Sequence, residues 1–226
     1  MKTNFLTFLG RGNAFNYNEE NTSAYLIRNN HFYLFDCGQK IATKIIHLGI
    51  LKDINHVTIF ITHLHPDHVA SLSELLTYII LYFKEIKYEV IYKDKDTLSK
   101  LLNIFSYDFP VTILDKYSND YLKIETIKQN HIENSYGYLV YTNELNFFYS
   151  GDTNCLSDYV LNLFKEGKIN LLYHEVSLNQ SSFHIGIETL NKLIPEELRN
   201  KVILMHFEND DIIKLATSYG YNVANK

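Results

Sequence analysis

Residues 62–68 read Thr-His-Leu-His-Pro-Asp-His, which gathers His63, His65, Asp67 and His68 into one short loop. Imidazole nitrogens and carboxylate oxygens are donors that suit zinc, and in a tight loop they can face two neighbouring metals. Further residues of the same chemistry follow. His131 lies in His-Ile-Glu-Asn-Ser-Tyr-Gly-Tyr, Asp152 in Ser-Gly-Asp-Thr, and His206 directly after the apolar run Val202-Ile203-Leu204-Met205. A second titratable pair is Glu175, in Leu-Leu-Tyr-His-Glu-Val, with His184 after it. Taken alone, a histidine between strands is more often a surface residue, Gly-Asp-Thr is an ordinary turn, and His184 could cap the next helix. The clustered loop at 63–68 is what makes a metal site the leading reading.

Elements of regular structure must carry these side chains to one place. Val57-Thr58-Ile59-Phe60-Ile61 is β-branched and aromatic, so it is predicted to be a buried strand that ends at the histidine loop. Alternation and turn signals predict opening strands over 4–9, 23–27 and 32–35, a helix over 40–51, and a long helix over 67–84. A strand over 88–92 and a helix over 97–105 follow. The second half is predicted to hold strands over 122–128, 136–141, 146–149, 169–173 and 202–205, with helices over 156–165, 186–194 and 211–218. Strands dominate the start of each half with helices interspersed, the pattern of a layered α/β protein. His31, His47 and His56 have no motif around them and read as ordinary histidines.

The 226 residues suffice for one substantial α/β core, and no composition break, repeat or linker marks a second domain over 1–226. No apolar run is long enough to span a bilayer, and residues 77–83 fit an amphipathic helix better. Only Cys37 and Cys155 are present, without zinc-finger spacing, and no apolar leader precedes Gly10. A reduced, cytoplasmic protein is the simplest expectation. A net charge of −5 with scattered lysines disfavours a long nucleic-acid partner, whose phosphates are usually met by a basic patch.

His63, His65, Asp67 and His68 match His-x-His-x-Asp-His, and the chain thereby resembles the metallo-β-lactamase-fold hydrolases, nearest their tRNase Z-like branch. Phe8-Leu9-Gly10-Arg11-Gly12-Asn13-Ala14, Asn21-Thr22-Ser23 and Leu34-Phe35-Asp36-Cys37-Gly38 resemble that branch's opening landmarks. The resemblance implies a four-layer αββα sandwich of two sheets with metals at one edge. It implies two Zn²⁺, with Mn²⁺ as an alternative. His63, His65 and His131 would bind the first, Asp67, His68 and His206 the second, and Asp152 would bridge them. A hydroxide shared by metals about 3.5–4 Å apart would attack in line, with Asp67 orienting it and accepting its proton. Glu175 would orient His184, which would protonate the leaving oxygen of a phosphodiester. Here the chain departs from the branch: Val176 stands for Ala, Ile185-Gly186 for Ser-Thr, and the separation is short. Asp36 is implied to support the metal loop, and His174 to be packed rather than catalytic.

The tRNA-processing members carry a long basic arm and a proline- and lysine-containing stretch near the start. Residues 137–152 hold room only for short strands and a turn, and residues 15–21 read Phe-Asn-Tyr-Asn-Glu-Glu-Asn. An acidic chain without the arm is a poor tRNA enzyme. The combination resembles armless relatives that act on small phosphodiesters, including the anti-Pycsar enzymes that open cyclic nucleotides. The expectation is a zinc phosphodiesterase converting 3′,5′-cyclic mononucleotides to linear monophosphates, as a homodimer. Competing readings are a tRNA 3′-endonuclease, an ester, lactone or thioester hydrolase, and a catalytically silent metal-binding regulatory module.

Overall fold

The computed structural model describes residues 5–105 and 111–226. Its first half runs β1 (Thr7–Gly10), β2 (Ser23–Arg28), β3 (His31–Phe35), α1 (Ile41–His47), β4 (His56–Phe60), α2 (Pro66–Val69), α3 (Leu72–Tyr82), β5 (Lys87–Ile91), α4 (Lys95–Ile104) and β6 (Thr112–Leu114). The second half runs β7 (Leu122–Lys128), β8 (Tyr136–Thr142), β9 (Asn146–Tyr149), α5 (Asp158–Lys165), β10 (Leu171–Glu175), α6 (Ile187–Leu193), a 3-10 helix (Glu196–Lys201), β11 (Val202–Met205), α7 (Asp210–Ser218) and β12 (Asn222–Val223).

The strands form two sheets, ordered β1-β2-β3-β4-β5-β6 and β12-β11-β10-β9-β8-β7. Antiparallel pairing at β1–β3 and β7–β9 gives way to parallel pairing through β3–β6 and β9–β12. Pleating sends alternate side chains to opposite faces, so each sheet has an outer apolar face covered by helices and an inner face turned to the other sheet. Val57 and Ile59 of β4 join Ile41, Ile45, Leu72, Leu75 and Ile79 outside the first sheet. Leu172 and Leu204 pack with Val160, Phe164, Leu190 and Ile212 outside the second. Between the sheets lies an aromatic layer of Phe8, Tyr33, Phe35, Phe60, Tyr138, Phe147, Tyr149 and Tyr173. This is the four-layer αββα sandwich expected.

Most predicted elements are found within a few residues, and Asn4, the first residue of the predicted opening strand, lies outside the described residues. The long helix predicted over 67–84 is instead two, α2 and α3. Ser71 breaks it: its N–H donates to Cys37 O at 3.1 Å and its hydroxyl donates to Gly38 O at 2.5 Å while accepting from Ala42 N at 3.0 Å. That tertiary tie is invisible to periodicity. The short strands β6 and β12 were not predicted; each is an edge strand too brief to show alternation.

Candidate metal centre

The parallel strands β3, β4, β10 and β11 all end at the same edge of the sandwich, and the residues just beyond them converge there. Asp36 follows β3, the 62–68 loop follows β4, Glu175 closes β10 and His206 follows β11. Asp36 and His206 both adopt left-handed backbone, with φ of 62° and 65°. Such a conformation costs a residue with a Cβ on the order of 1 kcal/mol or more, and here the flanking backbone imposes it. Asp36 N donates to Phe60 O at 2.8 Å and Cys37 N to His68 O at 2.8 Å, while Phe207 N donates to Arg11 O at 2.9 Å. The loop after β3 approaches α2 so closely that a Cβ on Gly38 would lie 1.9 Å from Asp67 O. Glycine is therefore required there.

Two groups of donors result, each with ligand atoms within 4.8 Å of one another. One is His63, His65, His131 and Asp152; the other is Asp67, His68, Asp152 and His206. Asp152 belongs to both. Its Oδ2 faces His63 Nε2 and His131 Nε2 at 3.8 Å, and its Oδ1 faces His68 Nε2 and His206 Nε2 at 3.3 Å. Asp67 Oδ2 lies 3.3 Å from the Nε2 atoms of both His68 and His206.

Hydrogen bonds on the far side of each ring fix which nitrogen is free. Asp36 accepts from Thr62 N at 2.8 Å and from Thr62 Oγ1 at 3.0 Å, and its Oδ2 takes His68 Nδ1 at 2.9 Å. With its own proton committed to Asp36, Thr62 Oγ1 must accept from His63 Nδ1, 3.1 Å away. His131 Nδ1 donates to Phe183 O at 3.0 Å. His63, His68 and His131 thus each turn Nε2, not Nδ1, inward, the arrangement by which outer partners orient metal-ligating histidines. His65 presents Nδ1 instead, 3.1 Å from His131 Nε2.

The donor set fits divalent cations, and the buried polar atoms argue the same. His63 Nε2, His68 Nε2 and Asp152 Oδ1 are buried without a hydrogen-bond partner. Each such atom costs about 1–3 kcal/mol, which a coordinated cation would remove. Without a cation, protons must balance the charge. Burial opposes charging His206, but Asp152, Asp67 and Glu175 outweigh it and push its pKa up to about 10. Burial likewise disfavours an ionised Asp152, yet His206, His68 and His63 hold its pKa well below the ordinary carboxylate range.

Glu175 and His184 sit beside this cluster. Glu175 is fully buried, its Oε1 accepts from Thr153 N, and its Oε2 takes His184 Nδ1 at 2.8 Å and faces His206 Nδ1 at 3.7 Å. Burial works against a charged His184, but the Glu175 hydrogen bond and charge prevail and raise its pKa. The helix-cap alternative for His184 fails, because α6 is capped by Gly186 without any side-chain bond. His174 is buried, pointing its Nδ1 at Glu175 O at 2.8 Å, away from the cluster.

A cavity of about 410 Å³ opens over the cluster, lined by His65, Asp67, His131, Asp152, His184 and His206 together with Phe15 and Phe183. Sequence reasoning missed these two aromatics. Phe15 is 81% and Phe183 53% exposed, far more than an aromatic that serves packing. The clue was a phenylalanine in each of two stretches otherwise rich in polar residues, 15–21 and 179–184.

Two packed sheets flanked by helices, with a histidine–aspartate cluster at the edge where strand ends meet, define a metallo-β-lactamase-fold protein. The fold matches human tRNase Z, short form (ELAC1), with a TM-score of 0.71 at 19% identity, covering 98% of this chain and 95% of that one. It also matches YhfI from Bacillus subtilis, with a TM-score of 0.76 at 17% identity, covering 96% and 94%. Within that class the chain belongs to the anti-Pycsar protein Apyc1 family, whose pattern matches residues 5–220. The anti-Pycsar protein Apyc1 of Paenibacillus sp. (strain J14) is 28% identical over 223 residues, spanning 91% of this chain and 89% of the relative.

Proposed function

We propose that this protein is a metal-dependent phosphodiesterase that hydrolyses 3′,5′-cyclic mononucleotides to linear monophosphates. The observation that carries the reading is one cavity that joins the shared-Asp152 donor groups, the Glu175–His184 pair and two exposed aromatic rings. Membership of the anti-Pycsar family supports the substrate class.

Two zinc ions are the cofactors proposed, held by His63, His65 and His131 on one side and Asp67, His68 and His206 on the other, with Asp152 between. Bound there, they would supply a nucleophile at neutral pH and offset phosphate charge. The chain's own residues do the rest. Asp67, at the cavity floor between His68 and His206, orients the attacking water and takes its proton. His184, its pKa raised by Glu175, turns its Nε2 edge to the cavity and donates a proton as the P–O bond to the ribose oxygen breaks. An alkoxide is a poor leaving group, and a positioned acid is worth about 10²–10⁴-fold. Phe15 and Phe183 flank the opening and offer faces on which a base can stack, worth about 1–3 kcal/mol.

β8 and β9 are joined by the tight turn at residues 143–145, and among the described residues no arm projects from this region. That favours a small nucleotide over tRNA. The test is hydrolysis of a panel of 3′,5′-cyclic nucleotides by zinc-loaded protein, with Asp67→Ala and His184→Ala alongside. Ring opening abolished by the first and strongly reduced by the second is expected. No turnover by fully metallated wild-type protein, with cleavage of pre-tRNA or of carboxylic esters instead, would refute it.

A further inference from the structure

His31, His56 and Glu89 carry no part of this chemistry, and the sequence suggested nothing for them. They stand on three neighbouring parallel strands, with His31 paired to His56 across β3 and β4, and Glu89 paired to Thr58 across β4 and β5. Residue parity puts all of them on the inner face of the first sheet. They lie at the strands' amino ends, the opposite end of the sheet from the His63 loop. One donor atom from each of the three lies within 4.8 Å of the others.

We propose that His31, His56 and Glu89 form a further metal site, one that takes a single zinc-class divalent cation and serves structure rather than catalysis. Two imidazoles and a carboxylate are a donor set that zinc accepts, leaving a position for water. The donors are pre-organised, since strands hold side chains more rigidly than loops do. The His31 and His56 rings stack with centroids 4.0 Å apart and planes 12° from parallel. Two imidazolium rings in that arrangement would repel, which disfavours charging both at once.

Hydrogen bonds already gather these groups. Thr58 Oγ1 donates to Glu89 Oε1 and so accepts from His31 Nε2 at 2.7 Å, while Glu89 Oε2 accepts from His56 Nε2 at 2.7 Å; a cation would take the place of the protons on these two nitrogens. Tyr117 OH closes the cluster 3.1 Å from Thr58 Oγ1. Access is open from one side: His31 is 8% exposed, but the His56 and Glu89 side chains are 30% and 13% exposed. A cation here would tie three strands together at the base of the aromatic layer between the sheets. Binding only the folded state, it would raise stability in proportion to the logarithm of its concentration.

The test is zinc equilibrium dialysis with elemental analysis on the full chain, comparing wild type with His56→Ala and Glu89→Gln. Both positions are partly exposed, and neither touches the catalytic cavity. Wild type is expected to bind one zinc per chain more than either variant, and to gain more melting temperature than either as zinc rises. Crystals soaked in zinc, measured at the zinc absorption edge, should show an anomalous peak between His31, His56 and Glu89. Equal stoichiometry in the three proteins, or no peak there at zinc saturation, would overturn the assignment.

Discussion

Glu175→Gln isolates the acid chemistry with the least steric change. Glu175 is fully buried, and its two carboxylate oxygens do different work: one accepts from Thr153 N, the other from His184 Nδ1 at 2.8 Å. A glutamine can keep the first bond through its carbonyl. Its amide then presents N–H to His184, which must answer with a bare Nδ1. The imidazole becomes neutral, and the only proton it still offers the cavity sits on a neutral ring, a far weaker acid. The loss should approach the whole worth of general acid catalysis, about 10²–10⁴-fold in kcat or ~3–5 kcal/mol. It should depend on the leaving group. Cyclic nucleotides expel an alkoxide and need the proton; bis(p-nitrophenyl) phosphate expels a stable phenolate and does not. Steady-state kinetics on both substrates, with metal content measured in parallel, should therefore show a large drop on the first and less than about tenfold on the second. Equal losses on both would refute the acid role. A fall in bound metal would show that Glu175 acts instead through His206, whose Nδ1 lies 3.7 Å away.

Asp36→Asn should keep the fold, since asparagine tolerates the left-handed φ of 62°. Its amide would meet His68 Nδ1 and move the ring proton to Nε2, so metal affinity measured by chelator competition should fall about 10–100-fold. Phe15→Ala should raise KM for cyclic nucleotides about tenfold with kcat little changed, the value of one stacking contact; an unchanged KM would remove Phe15 from substrate binding. Alkali should unfold the protein cooperatively. Burial pushes the Cys37 thiol and the Tyr173 phenol each up to about 12, and raises Tyr138 and Tyr149 well above the ordinary phenol range. The unfolded chain releases these protons first, from about pH 8.5 for the thiol and about pH 10 for the phenols. Stability should therefore decline as pH rises through that window, by up to about 1.4 kcal/mol per pH unit for each group. Circular dichroism and phenolate absorbance should change together, whereas early phenolate titration of a still-folded protein would contradict the burial.

The primary structure alone pointed to a candidate metal site because the main signature of one is written locally. His63, His65, Asp67 and His68 sit in one loop after an unmistakable buried strand, and His206 directly follows another. The layered α/β class was equally legible, since apolar strands and amphipathic helices announce themselves through their periods. Tertiary structure decided everything that depends on residues far apart in the chain. It broke the predicted helix at Ser71 by capturing that residue's polar groups in the loop after β3. It chose the tautomers, because Asp36, Thr62 and Phe183 O bind the outer nitrogens of His68, His63 and His131. It brought Phe15 and Phe183 to one opening, and it stacked His31 on His56, a pair that sequence reading had set aside as unremarkable. Local pattern reports which groups a chain owns and the period on which they recur. Which of them meet depends on strand register and loop closure across the whole fold, and no short window of sequence contains that.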